Sequence, residues 1–568
     1  MSQFSAFGRA RECILLMLGA FLAGAIQPAL AAREVGDLPP AFVLPLPQNS
    51  PIILAIQGLL AELDLYHGPL DGRSGATLSE SIRLHQRGWG LVPDGRATED
   101  LLQHLEMVVG MRRIDRRLGA AREEQIGSAR RLLLEHPATR ELWREGKAAP
   151  APAASGDPAA CLDEPTVRCL LAHALGAALR APEGQMRDWA LGEVVAVYAK
   201  AGWTGEALAA ASALADPRSL MAALEAIVRG LAEAGDSDAA LAALDVIPDA
   251  PRRADALLAV IQGQIDDRDT GKARDNLRHL AGQVGGLSEP HLQVALLARM
   301  AELASRLGDR DQASDWLGEA RHLLVGADPE MRSVGRAMIA VSLAALDQPA
   351  EAAGELARVD DALTRVSAQM ALAEAQMRAG ESEAALASAN GIESPRYRVV
   401  AFCRLASATA SRLGRERASE MLDQAVQAID RIDLPFARAY AQSRLALARA
   451  EIRQDSQALA AANRIEDPAL RAQVLWTLHD SGAGPKIDPE MAEAASRAIP
   501  DAFSRVWMFA DLARVRLKSA DGEGARIHWR RALESARPIA DLWTQARALA
   551  VLSSLLLDRE RATKTVRP

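Results

Sequence analysis

In a chain of 568 residues with ten histidines and four cysteines, the side chains able to do chemistry make a short list. His67, His85 and His104 lie close in sequence, but spacings of 18 and 19 residues fit no local ligand pattern, so no metal is expected. Cys161 and Cys169 bracket a helix start at Asp163-Glu164-Pro165-Thr166. On one continuous helix the two would be too far apart to bond. With Cys161 in the entering turn the chain can fold back, and a disulfide would staple the first helix. The other reading leaves Cys169 buried and Cys161 free. Cys403, among Val400, Ala401 and Leu405, reads as core. None of the three has a recognisable histidine partner motif. The chain has no His-Glu-x-x-His helix, Gly-x-Ser-x-Gly elbow, Ser-x-x-Lys pair or phosphate loop. Its carboxylates are scattered over helix surfaces, where solvation is the default. We therefore expect no catalytic residue, no cofactor and no enzymatic activity.

What remains is a group of polar and aromatic residues near the N-terminus: Tyr66, Asp71, His85, Gln86, Trp89 and Asp94. Their side chains offer aromatic faces and polar tips to a ligand. Short helices must position them. Ser50-Pro51 is an N-cap followed by proline at the first helical position, and Ile52, Ile56, Leu59, Leu60 and Leu63 share one helical face. Thr77-Leu78-Ser79-Glu80 reads as a capping box before a second helix. Gly90-Leu91-Val92-Pro93-Asp94-Gly95 repeats the turn of Gly68-Pro69-Leu70-Asp71-Gly72, and Thr98 opens a third helix carrying Leu101, Leu102 and Leu105.

The order of helix, G-P-L-D-G-x-x-G-x-T, helix, Q-x-x-x-G-L-x-x-D-G-x-x-T, helix resembles the peptidoglycan-binding domain of the PGBD-like three-helix family. The resemblance covers residues 50–106 and rests on Tyr66, Gly68, Asp71, Gly72, Gly75, Thr77, Ile82, Gln86, Gly90, Leu91, Asp94, Gly95 and Thr98. It implies a three-helix fold and peptidoglycan as partner, with Tyr66, Asp71, His85, Gln86, Trp89 and Asp94 as candidate contacts for that glycan–peptide ligand, since aromatic faces suit sugar rings and polar tips suit peptide amides. Two departures stand out: His85 replaces the family's core phenylalanine, and the second turn is short. Asp-Gly pairs and threonine caps also serve any small helical domain at its turns, so these positions can encode fold alone.

Upstream, Arg9 and Arg11 precede the apolar run Ile14–Ile26, and Ala29-Leu30-Ala31 offers a small–x–small cleavage site. A run of 13 residues is short for a membrane span, which takes about 20. Residues 1–31 are expected to be a signal peptide cleaved near Ala31, with an uncleaved anchor as the alternative, and the mature chain to be periplasmic. Residues 32–49, with Pro39, Pro40, Pro45 and Pro47, read as an extended leader. Residues 107–145 read as a solvated helical connector, 146–160 as a linker, and 558–568 as a polar tail.

Residues 161–557 repeat. Small turns recur at Gly202, Gly235, Arg268, Gly308, Asp347, Gly380, Gly414, Gln454 and Asp521, at steps of 33, 33, 40, 39, 33, 34, 40 and 67. An alanine follows each turn, and prolines such as Pro217, Pro251, Pro395 and Pro435 open the intervening helices. Ala234-Gly235-Asp236-Ser237-Asp238-Ala239-Ala240-Leu241 and Ala379-Gly380-Glu381-Ser382-Glu383-Ala384-Ala385-Leu386 resemble the turn and second helix of tetratricopeptide (TPR) repeats. The resemblance implies a right-handed α-solenoid of some ten helix pairs with a concave wall for protein partners. Trp476, Phe503, Trp507, Phe509, Trp529 and Trp543 fall at helical spacing, favouring core and end-capping roles over a peptide groove.

The fold class is therefore all-α. A net charge of −8, with lysine only at 147, 200, 272, 486, 518 and 564, gives no basic stripe, so nucleic acid is not a partner. No segment after the leader is apolar enough to span a membrane. The function expected is a peptidoglycan-associated scaffold whose repeats bind envelope proteins. The alternatives are a regulator whose small domain is purely structural, and a wall enzyme with an unfamiliar site in the solenoid.

Overall fold

A computed structural model describes residues 50–89, 93–137, 139–140, 158–481 and 487–565. The expected signal peptide and leader, most of the expected linker, and residues 482–486 lie outside the described residues. The chain divides into two units, Met1–Ala120 and Ala121–Pro568. Among the described residues there is no strand.

In the first unit, α1 (Pro51–Glu62), α2 (Ala76–Gly88) and the start of α3 (Glu99–Glu135) enclose Ile53, Ile56, Leu60, Tyr66, Leu78, Ile82, Leu101 and Leu105. Proline does open α1, but Ser50 serves through its backbone, donating to Gly72 O at 2.9 Å. The Thr77 capping box does not form. Helix α2 starts earlier, from Gly75, which leaves Thr77 inside the first turn, and Glu80 pairs with Arg83 and Arg87 instead. Thr98 caps α3, accepting from Leu101 N at 3.1 Å. Instead of stopping near Glu106, α3 continues to Glu135. Val108 and Val109 join the same core, and Arg113 reaches back to Glu62 at 2.6 Å.

In the second unit a short α4 (Pro158–Asp163) and α5 (Val167–Arg180) precede ten consecutive pairs. These are α6 (Gln185–Lys200) with α7 (Thr204–Ala211), α8 (Pro217–Glu233) with α9 (Ser237–Ala243), and α10 (Ala250–Asp266) with α11 (Thr270–Val284). Then come α12 (Pro290–Arg306) with α13 (Arg310–Leu323), α14 (Pro329–Ala345) with α15 (Pro349–Leu356), and α16 (Ala362–Ala379) with α17 (Ser382–Asn390). The last four are α18 (Pro395–Arg412) with α19 (Arg415–Ile429), α20 (Pro435–Glu451) with α21 (Asp455–Asn463), α22 (Pro468–Ser481) with α23 (Pro489–Arg497), and α24 (Ala502–Lys518) with α25 (Gly522–Ala536). A single long helix, α26 (Leu542–Thr565), ends the described chain.

Two local devices repeat. The first helix of most pairs ends on a left-handed residue: Gly202, Gly235, Arg268, Gly308, Asp347, Gly380, Gly414, Arg453 and Ala520. After most of them the next residue donates back five positions, as Asp236 N does to Leu231 O at 3.0 Å and Asp269 N to Gln264 O at 2.8 Å, which satisfies carbonyls the helix end would leave bare. That same residue caps the second helix where it is aspartate: Asp236, Asp269, Asp309 and Asp521 accept from amides three residues on. The second device recurs where one pair meets the next. Arg253, Arg398 and Arg438 donate to the carbonyls of Ile247, Ile392 and Ile432, six residues upstream, at 2.9, 2.8 and 3.0 Å.

First helices pack on one another in series, and small residues set the approach. A Cβ on Gly230 of α8 would lie 2.8 Å from Lys200 N and 2.9 Å from Ala199 Cβ of α6. The series returns to its beginning. Helix α26 packs along α6 as one first helix along the next, and α5 takes the place of its missing partner. The N-terminal helix thus completes the C-terminal pair. Lys200 meets Asp558 at 2.6 Å, Arg547 meets Glu193 at 3.0 Å, and Arg561 donates to Lys200 O. Residues 558–565, expected as a polar tail, are therefore the last turns of α26, held by the array's first pair.

Candidate functional site

Two glutamines organise the small unit. Gln57 Oε1 accepts from Gly72 N at 2.8 Å, and its Nε2 donates to Asp71 Oδ1 at 3.1 Å. Gln86 does the same at the other turn: Oε1 accepts from Gly95 N at 3.0 Å, and Nε2 donates to Asp94 Oδ1 at 2.7 Å. Each aspartate also accepts from the amide two residues on, Arg73 at 2.9 Å and Arg96 at 3.0 Å. Those backbone bonds first, and the glutamine amides second, hold both carboxyls below the usual carboxylate range. Gly72 and Gly95 take φ of 69° and 71°, which suits glycine. Tyr66 is buried and donates to Pro69 O at 3.0 Å.

Four of the six candidate residues, Tyr66, Asp71, Gln86 and Asp94, are thus engaged in fixing the two turns. Gln57 belongs to the same device and was missed by sequence reasoning. Its signal was the parallel with Gln86, since each precedes an Asp-Gly-Arg. The other two candidates form a different group. Trp89, at the end of α2, is 51% exposed. His104 of α3 stands edge-on to it with centroids 5.4 Å apart, and His85 lies 5.2 Å from His104. The Nε2 atoms of both histidines are buried without a hydrogen-bond partner among the described residues. Burial first, then the neighbouring His104 charge, lowers the His85 pKa. His67 is apart from them, facing Asp64 at 3.9 Å. The unit therefore presents an exposed indole beside two histidines whose Nε2 atoms are buried.

In the array a polar cluster surrounds Asp480. It accepts from His528 Nε2 at 2.6 Å, Arg516 at 3.0 Å and His479 Nδ1 at 3.1 Å. Burial pushes this carboxyl up, but the bonds from His528 and Arg516 outweigh it and hold it well below the usual range. With three donors on one carboxylate, the cluster ties α22 to α24 and α25. Trp476 closes over it, 5.4 Å from His528. Trp476, Phe509 and Trp529 are buried, while Phe503, Trp507 and Trp543 are partly buried. Between α17 and α19 a groove of about 360 Å³ is lined by Leu386, Ala387 and Met421 together with the charged Glu383, Arg417 and Glu420.

Cys161 and Cys169 are bonded, with Cα atoms 6.0 Å apart. Cys403 is buried, and its thiol pKa is pushed up to about 12 by that burial. Among the described residues no helix is long and apolar enough to cross a membrane.

Residues 49–105 match the family model described as a putative peptidoglycan binding domain. No curated protein matches the chain. Among solved structures the chain is similar to Ton1535 from Thermococcus onnurineus NA1, at 17% identity over 55% of this chain and 96% of that one, with a TM-score of 0.25. It is also similar to a circular tandem repeat protein with novel repeat topology and enhanced subunit contact surfaces, at 16% identity over 90% and 98%, with a TM-score of 0.15. Scores this low bear on neither fold nor function.

Proposed function

We propose that the chain is an exported, non-enzymatic scaffold that associates with peptidoglycan through residues 50–106 and binds envelope proteins through its helical array. The observation that carries the first half is the family match at 49–105 together with the exposed Trp89. An indole face left in solvent suits the C–H face of a sugar. The array is read as TPR-like and right-handed, with partners meeting surfaces such as the groove between α17 and α19. The periplasm is the compartment proposed, in keeping with the apolar run Ile14–Ile26 and with the Cys161–Cys169 bond.

A second reading has specific support. Tyr66, Asp71, Gln86 and Asp94 are occupied in holding turns, which favours a regulator whose small domain is purely structural. Crosslinking in intact envelopes, with capture through the tagged chain, tests both. The scaffold reading expects a reproducible partner that still crosslinks when residues 50–106 are deleted, while the deleted chain leaves the wall fraction. Unchanged wall fractionation, with lowered stability, supports the structural reading instead. Loss of the partner on that deletion would sink the assignment of partner binding to the array.

A further inference from the structure

We infer that Cys161, Cys169 and His173 have a second, mutually exclusive use: with the disulfide reduced, they form a site for a zinc-class divalent ion at the closure of the array. The two sulfurs and a ring nitrogen of His173 lie within 4.8 Å of one another. Cys169 and His173 are four residues apart on α5 and so share a face, while Cys161 comes across from α4. Two thiolates and an imidazole are the ligand types that select zinc, and three protein ligands leave a fourth position for water.

The place of the cluster gives the site its consequence. Cys161, Leu162 and His173 line a small cavity together with Ala536, Gln545, Ala548 and Leu549, which belong to the other end of the array. Arg537 donates to Leu162 O at 3.1 Å and meets Asp163 at 2.8 Å. Whatever fastens α4 to α5 therefore also presents the acceptors that Arg537 grips. In the oxidised chain the disulfide is that fastening, and in the reduced chain the ion replaces it.

The exchange balances. A dithiol reductant attacks one sulfur as thiolate, and its second thiol resolves the mixed disulfide. Two electrons and two protons pass to Cys161 and Cys169, and the reductant leaves as its own disulfide. The divalent ion then displaces both thiol protons, which go to water. Cys403 takes no part, being fully enclosed in the core.

Cobalt(II) tests the site because it reports its ligands by colour. The chain lacking residues 1–31 is reduced with a phosphine, freed of it under argon, and titrated with Co²⁺. The expected result is a single saturable site with thiolate-to-cobalt charge-transfer absorption and tetrahedral visible bands, bleached by Zn²⁺ and absent from the oxidised chain. His173→Ala, which leaves the disulfide intact so that folding can be checked in the oxidised form, should weaken binding by at least roughly 10–100-fold, the loss that even an outer-sphere partner costs. No tetrahedral thiolate spectrum in the reduced chain, or one unchanged in H173A, overturns the site. Hydrogen exchange of α26 gives the second readout. Reduction should raise it and Zn²⁺ restore it, and exchange indifferent to reduction overturns the coupling to closure.

Discussion

Gln57 and Gln86 each satisfy a glycine amide and an aspartate at once, so losing either leaves buried backbone groups unpaired. Gln57→Ala or Gln86→Ala should each cost the small unit about 1–3 kcal/mol, read by denaturant unfolding with a probe in that unit. Trp89→Ala, half exposed, should cost far less, and equal losses would contradict the division of roles drawn here. His85 gives a pH signature. Its pKa is depressed from 6.5, so the fold favours the neutral ring. Stability is full above about pH 6.5 and is lost as pH falls from there toward the lowered folded value. Thermal unfolding of the small unit should show that loss in the wild-type chain and a weaker one in His85→Phe. The turns were legible because Asp-Gly names them. The glutamines were half legible, since Gln86 stood in the motif and Gln57 did not. The meeting of His85 with His104 was not, because 19 residues of separation carry no local signal.

Helix pairs were legible for a physical reason. A left-handed residue, an aspartate cap and a following proline are each written in sequence, and Gly202, Gly235, Arg268, Gly308, Asp347, Gly380 and Gly414 fall where the turns were placed. Arg453 and Ala520 take the strained position one residue before the expected Gln454 and Asp521. Neither is glycine, so the eye moves to the polar neighbour that caps the next helix. The arginine clamps on Ile247, Ile392 and Ile432 were missed, since arginine abounds in the sequence and only the six-residue offset distinguishes these. Close packing of first helices makes Gly230 a sensitive point. Gly230→Leu should cost about 1–3 kcal/mol by forcing α8 from α6, whereas the same change at Gly271, which has open space, should cost little beyond propensity. Asp480→Asn should also cost about 1–3 kcal/mol, because it leaves half-buried Arg516 without its charge partner and removes an acceptor from buried His528. Chemical denaturation monitored by far-UV circular dichroism reads both.

Closure of the array could not be read from the sequence, because a repeat pattern specifies neighbours and says nothing of whether the series returns. A series with free ends needs capping faces. Here α5 and α26 cap one another, and aromatic residues expected at an end sit at the join, where Arg547 lies 3.6 Å from the Trp189 ring and 4.5 Å from Phe503. Burial raises the Glu193 carboxyl pKa and Arg547 opposes that, so the pair depends on its partner. Arg547→Ala should therefore raise hydrogen exchange in α5 and α6 as well as in α26, although Glu193 is 354 residues away in sequence. Exchange confined to α26 and α24 would contradict a closed array. Closure also fits the proposed scaffold, in which the array would offer its surface to partners and the small unit would associate with the wall. That division of labour is tested most directly by sedimenting the chain lacking residues 1–31 with purified peptidoglycan sacculi, beside Trp89→Ala. The account predicts that the wild-type chain pellets with the sacculi and that W89A, folded by circular dichroism, stays largely in solution. A wild-type chain that remains in the supernatant would contradict it.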